Sequence, residues 1–164
     1  MKYLSNIIIF IISLIALIIA CITYTQKPDS NVTDLLTTWI NAVTKDNNPE
    51  KVANLFCNDG FLWGTVAQNQ RTGYAAIKGY FDYFAKLPEI KVINRNDNIR
   101  KISNNVYQNN ATLVWQWKGL NKPITARMTF LYNKNSNGDW CISSLHSSAL
   151  PDQNQGLKDA SNKF

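Results

Sequence analysis

The hydrophobic period of this chain changes once, at Pro88, and that change restricts the fold more than any other feature of the sequence. Before it, apolar residues recur at helical spacing. Leu35, Leu36, Ile40 and Val43 predict a helix over Val32 to Thr44, capped by Asn31 or Ser30. Asn48-Pro49-Glu50 is a second start signal, with proline at the first helical position. That short helix is expected to end near Phe56, before the turn cluster Asn58-Asp59-Gly60. Phe61 to Thr65 reads as a short extended piece. Thr72 then caps a third helix, in which Ile77, Phe81 and Phe84 form one stripe and Pro88 closes it.

After Pro88 the period is two. Ile90 to Arg95, Val106 to Trp117, Ile124 to Asn133 and Trp140 to Ser148 all read as strands, with turns at Asn121-Lys122-Pro123 and within Asn133 to Gly138. Three helices followed by a meander of long strands predict an α+β fold, with the helices on one face of a curved antiparallel sheet. Such a sheet wrapped over a helix makes a cone with one open end. The chain has 164 residues, which supports a single core and excludes large multidomain architectures. No repeat period is visible, so solenoids and propellers are excluded as well.

The N-terminus carries its own signal. Lys2 precedes Ile7 to Ala20, which is nearly unbroken hydrocarbon, and small residues follow. This is the layout of a secretory signal peptide, and the run falls short of the roughly 20 apolar residues that a bilayer span wants. Ile18-Ile19-Ala20-Cys21 is similar to a bacterial lipobox, in which Cys21 would become a lipid anchor. Residues 1–23 are therefore read as a signal peptide or lipoprotein signal, 24–30 as a linker, 31–151 as the folded domain and 152–164 as a polar tail. The expected location is outside the cytoplasm: secreted or periplasmic, with or without attachment to the membrane through Cys21 or an uncleaved N-terminal segment. Cys57 and Cys141 then remain as an even pair, which either bridge or stay as two buried thiols. Two buried thiols are the expected state.

Net charge is +6, with a pI near 9.3. The lysines are scattered singly, with no basic stripe of the kind that phosphate backbones require, so nucleic acid is not an expected partner. Metal chemistry is poorly served by one histidine with no CxxC and no HxxxH. No glycine-rich phosphate loop is present, and Ser147 or Ser148 beside His146 is adjacency rather than a triad. The last strand carries the chemistry that remains. Strict alternation puts Trp140, Ile142, Ser144, His146 and Ser148 on one face, and Cys141, Ser143, Leu145 and Ser147 on the other. That pattern suggests a core giving way to a polar pocket at His146, or a strand emerging into solvent. Arg127 on the preceding strand either meets an anion inside the cone, pairs with a carboxylate, or is exposed.

The order of elements resembles the NTF2-like superfamily. The closing segment Trp140-Cys141-Ile142-Ser143-Ser144-Leu145-His146-Ser147-Ser148-Ala149-Leu150-Pro151 is similar to the HHHSSxxP ending of proteins related to the association domain of calcium/calmodulin-dependent kinase II. Leu62-Trp63-Gly64-Thr65, Arg71-Thr72, the helix from Ile77 to Phe84, and Ala126-Arg127-Met128-Thr129-Phe130 match as well. Within that group, secreted members form the iota class of carbonic anhydrases. The resemblance implies reversible hydration of carbon dioxide to bicarbonate, with Thr65, Tyr80, His146 and Ser148 as catalytic residues and Ser147 and Arg127 contacting substrate. His146 would be the acid/base near neutral pH. The family's three histidines are here Ser144-Leu145-His146, so a metal-independent reaction is expected although metal occurs in the class. The alternative is a non-catalytic ligand-binding or oligomerisation module, since related cones dimerise through the exposed sheet face. A homodimer or higher homo-oligomer is expected on either reading, and Trp115 and Trp117 belong to such an interface or to the core.

Overall fold

The computed structural model describes residues 10–16, which are helical, and residues 30–150. The expectations for a signal segment, Cys21, the 24–30 linker and the 152–164 tail fall almost wholly outside the described residues. Among those described, no helix is long and apolar enough to cross a membrane.

Within residues 30–150, four helices and six strands follow one another. Helix α1 (Ser30–Thr33) leads into α2 (Leu35–Thr44), so the predicted first helix is broken by a turn at Asp34. Helix α3 (Pro49–Asn54) starts where the sequence places it: the Asn48 side chain accepts the Lys51 backbone N–H at 2.9 Å, satisfying one of the unpaired donors of the first turn. Helix α4 (Gly73–Phe84) follows Thr72, whose hydroxyl makes no capping bond. The strands are β1 (Phe56–Trp63), β2 (Arg71–Thr72), β3 (Lys91–Ser103), β4 (Val106–Gln116), β5 (Ile124–Lys134) and β6 (Trp140–Ala149).

They form one open sheet in the order β2-β1-β6-β5-β4-β3, antiparallel except for the β1–β6 pair, which is parallel. A wholly antiparallel sheet was expected. The chain instead crosses through α4 and the β3–β5 meander before β6 returns beside β1. The turn expected at Asn58-Asp59-Gly60 is also corrected. These residues lie within β1, where the register jumps from Phe56↔Ile142 to Phe61↔Ser144. The cluster makes a bulge rather than a stop, and strand β1 therefore begins at Phe56 rather than Phe61.

The helices cover one face. Trp39 on α2 stands edge-on to Phe81 of α4, Trp115 of β4 and Phe130 of β5, with ring centroids 5.4–6.0 Å apart. Leu36, Val43, Ile77, Phe84, Leu113, Tyr132 and Ile142 complete this core. Trp115 belongs to it, so it is not an interface residue, and Trp117 packs against its edge half-buried. Arg95 ties sheet to helix, donating to Thr37 Oγ1 at 2.8 Å and to Asp97 at 2.6 Å. Asp97 also accepts from the buried Asn109 amide, and these bonds hold its carboxyl below the usual range.

Cys57 and Cys141 are bonded as a disulfide. The favoured reading of two free thiols is thereby overturned. The parallel return of β6 brings the first residues of β1 and β6 side by side, with Cα atoms 5.0 Å apart, inside the usual range for a bridge.

Candidate functional site

Between α4 and the sheet, the core opens into a small pocket lined by Leu62, Gly64, Thr65, Tyr80, Phe84 and Ser147, with Trp39, Phe81, Trp115, Met128 and Leu145 behind them. The space left for the centre of a water-sized molecule is about 10 Å³, room for about one water. Two hydroxyls meet there, and Tyr80 walls the pocket beside them. Thr65, just past the end of β1, is 2.5 Å from Ser147 Oγ on β6. Tyr80, 7% exposed, reaches in from α4. It does so across Gly64: a Cβ at that position would lie 2.4–2.6 Å from the end of the Tyr80 ring, so only glycine lets the phenol lie there.

Burial raises the Tyr80 hydroxyl to about 12, against smaller opposing pulls from the Val66 backbone N–H and the Arg71 charge. At neutral pH it is therefore a neutral donor and no base. Tyr83, three residues further along α4, is 64% exposed.

The remaining expected site residues lie on the other face of the sheet. His146 is exposed and stands in register with Trp63 of β1, ring centroids 6.1 Å apart. Its row continues across the sheet through Thr129, Asn110 and Asn98. The next row runs Ser148, Arg127, Thr112 and Asn96. Together these residues line a shallow cleft of about 310 Å³. The assembly of His146, Ser148 and Arg127 with Tyr80 and Thr65 is thus corrected. Thr65, Tyr80 and Ser147 come together inside, and His146, Ser148 and Arg127 come together outside.

The physical reason is a bulge in β6. Leu131 pairs with Ser144 but Tyr132 pairs with Ile142, so Ser143 is an extra residue without a partner. Upstream of it Ile142 faces the core; downstream Leu145 and Ser147 do, and His146 faces out. Strict alternation carried through Ser143 exchanges the two faces. Among the described residues no group of three His, Cys, Asp or Glu side chains is placed to hold a metal ion, and the inner pocket offers only hydroxyls. The donor set does not fit a metal centre.

Residues 28–151 match the family described as calcium/calmodulin dependent protein kinase II association domain. The chain belongs to that family. A crystal structure from Xanthomonas campestris, described as an association domain of the same kind, is similar at 31% identity and a TM-score of 0.64, covering 78% of this chain and 91% of the other. An NTF2-like protein of unknown function from Pseudomonas putida shares the fold at 16% identity and a TM-score of 0.66, covering 76% and 88%. So does a ketosteroid isomerase-like protein from Erwinia carotovora at 13% identity and a TM-score of 0.59, covering 75% and 96%. No curated protein matches the chain. The open α+β sheet is therefore the NTF2-like fold, and the association-domain family supports a small-ligand-binding or oligomerising module.

Proposed function

We propose that the inner pocket hydrates carbon dioxide to bicarbonate without a metal, as in the iota-class carbonic anhydrases that the closing motif resembles. One observation carries this reading: the Thr65–Ser147 hydroxyl pair in an otherwise apolar pocket walled by Tyr80, with room for about one water. Carbon dioxide is small and apolar and its product is a small oxyanion, so a dry pocket tipped with donors favours the change in charge. Water is oriented by the Thr65–Ser147 pair. Carbon dioxide meets that water at the mouth of the pocket, the water oxygen bonds to carbon, and the developing oxyanion accepts from the Tyr80 hydroxyl. The released proton passes by way of the half-buried Thr65 hydroxyl to solvent buffer. His146, on the outer face, has no part in this step. A steroid-sized substrate does not fit the space.

Stopped-flow hydration of carbon dioxide by the domain, with and without chelator, tests the reading. Activity that survives chelation is expected. Tyr80→Phe and Ser147→Ala should each lower kcat/KM by about tenfold or more, the effect of removing one preorganised donor. His146→Ala should leave it unchanged. A wild-type protein with no activity would end this proposal.

A second reading, homo-oligomerisation, is favoured by the outer sheet face. Its cross-strand rows from Trp63 to Asn98 and from Ser148 to Asn96 are largely exposed, and a flat row of polar and aromatic side chains is self-complementary about a two-fold axis. Light scattering on the purified domain should give a dimer or larger, and Thr129→Lys should shift it toward monomer. The Cys57–Cys141 bond supports a location in an oxidising compartment, in keeping with the apolar N-terminal run.

A further inference from the structure

Arg71 has a position that neither the pocket nor the sheet explains. On β2 it pairs directly with Leu62 of β1, and residues directly opposite in an antiparallel pair share a face. Leu62 faces the core, so Arg71 is aimed toward α4 at the open edge of the sheet. It lines a cleft of about 360 Å³ with Gln68, Asn69, Gly79, Tyr80 and Tyr83. Tyr80 is the wall common to this cleft and the hydroxyl pocket.

No acid among the described residues answers the charge. Among the described residues no carboxylate lies within 4.0 Å of the guanidinium, and the nearest acid on α4, Asp82, is engaged by Lys78 at 2.8 Å. The Arg71 Nε is buried with no hydrogen-bond partner. A half-buried guanidinium whose Nε is shielded from water without an acceptor forgoes a hydrogen bond, which an anion in the cleft restores. The cleft supplies what a small anion needs besides charge: two side-chain amides, Gln68 and Asn69, and room for more than a water.

We propose that Arg71 makes this cleft a binding site for a small planar oxyanion, whose two oxygens match the guanidinium fork. The site stands on its own geometry. Only the identity of its natural occupant, bicarbonate leaving the hydroxyl pocket past Tyr80, rests on the hydration reading.

The test is a titration of the ¹⁵N-labelled domain with sodium bicarbonate or formate, exchanged against chloride at constant ionic strength. Saturable shifts are expected at the Arg71 Nε–H and at the Gln68 and Asn69 side-chain amides. Arg71→Met should weaken binding by about tenfold or more, the loss of one charge-assisted fork. Arg71→Lys, which keeps charge without the fork and guards against misfolding of the first variant, should fall between. No saturable shift, equal binding of chloride, or unchanged binding in Arg71→Met would overturn the site. The two proposals separate cleanly. Formate binding without carbon dioxide turnover ends the hydration reading and leaves this site standing. Turnover without saturable anion binding does the reverse.

Discussion

Gly64 and Tyr80 form the contact on which the pocket depends. The phenol occupies the volume that a Cβ would fill, so Gly64→Ala must drive the ring outward or shift β1. The expected cost is about 1–3 kcal/mol of overpacking, read as a lower urea midpoint, together with loss of carbon dioxide turnover as deep as that of Tyr80→Phe. Turnover unaffected in Gly64→Ala would mean that Tyr80 works from elsewhere. The same residue sets an alkaline limit. Its hydroxyl ionises near 12 in the fold and near 10 in the unfolded chain. The unfolded state therefore loses its proton first as pH rises. Stability contributed by the neutral phenol is complete below pH 10 and drains away between about 10 and 12, by up to about 3 kcal/mol. Burial raises Tyr132 in the same direction. Urea unfolding followed across that window should show a shallower decline in Tyr80→Phe than in wild type, and parallel declines would contradict the assigned burial.

At the level of elements, what could be read from the sequence was whatever follows a period. The Ile77, Phe81 and Phe84 stripe is buried as expected and the Asn48 cap forms, whereas the period alone left Trp115 open between interface and core, and it is buried. Thr65 and Tyr80 were legible through the Leu62-Trp63-Gly64-Thr65 stretch and the helix that follows Thr72. What could not be read were two bulges, because one extra residue reverses every face beyond it and leaves no mark on composition. At Ser143 the bulge moves His146 out and Ser147 in. Within β1 the three residues Asn58 to Gly60 look like a turn because they are turn residues, yet the strand pairing resumes at Phe61. Gly60 is the signal that could have revealed it. A Cβ there would stand 2.8 Å from the Ile142 carbonyl and 2.9 Å from that of Cys57, so glycine permits the close approach of backbone to backbone rather than a reversal of the chain. Gly60→Ala should accordingly destabilise by about 1–3 kcal/mol, because backbone yields less readily than a side chain. Melting of this variant at the wild-type temperature would show that the bulge has slack.

For the whole molecule the disulfide is the longest-range constraint. It joins residues 84 apart in sequence, enclosing α4 and the β3–β5 meander. In the chain-entropy view, cross-linking a loop of that length removes about 4–5 kcal/mol of freedom from the unfolded state, of which about 2–4 is usually realised. The bond also sits where the sheet is least regular, at the start of β1 beside the jump in register. The pocket lies at the other ends of the same two strands, where Thr65 follows β1 and Ser147 nears the end of β6. Reduction, or the Cys57→Ser and Cys141→Ser pair of changes, should therefore cost stability without costing the site. The urea midpoint is expected to fall by the equivalent of about 2–4 kcal/mol, and the slope to rise as the freed chain exposes more surface. Turnover per folded molecule well below the midpoint should stay the same. If turnover fell together with stability, β1 and β6 would be a single unit whose bridged end positions the hydroxyls, and the disulfide would then set the pocket's geometry as well as hold the fold.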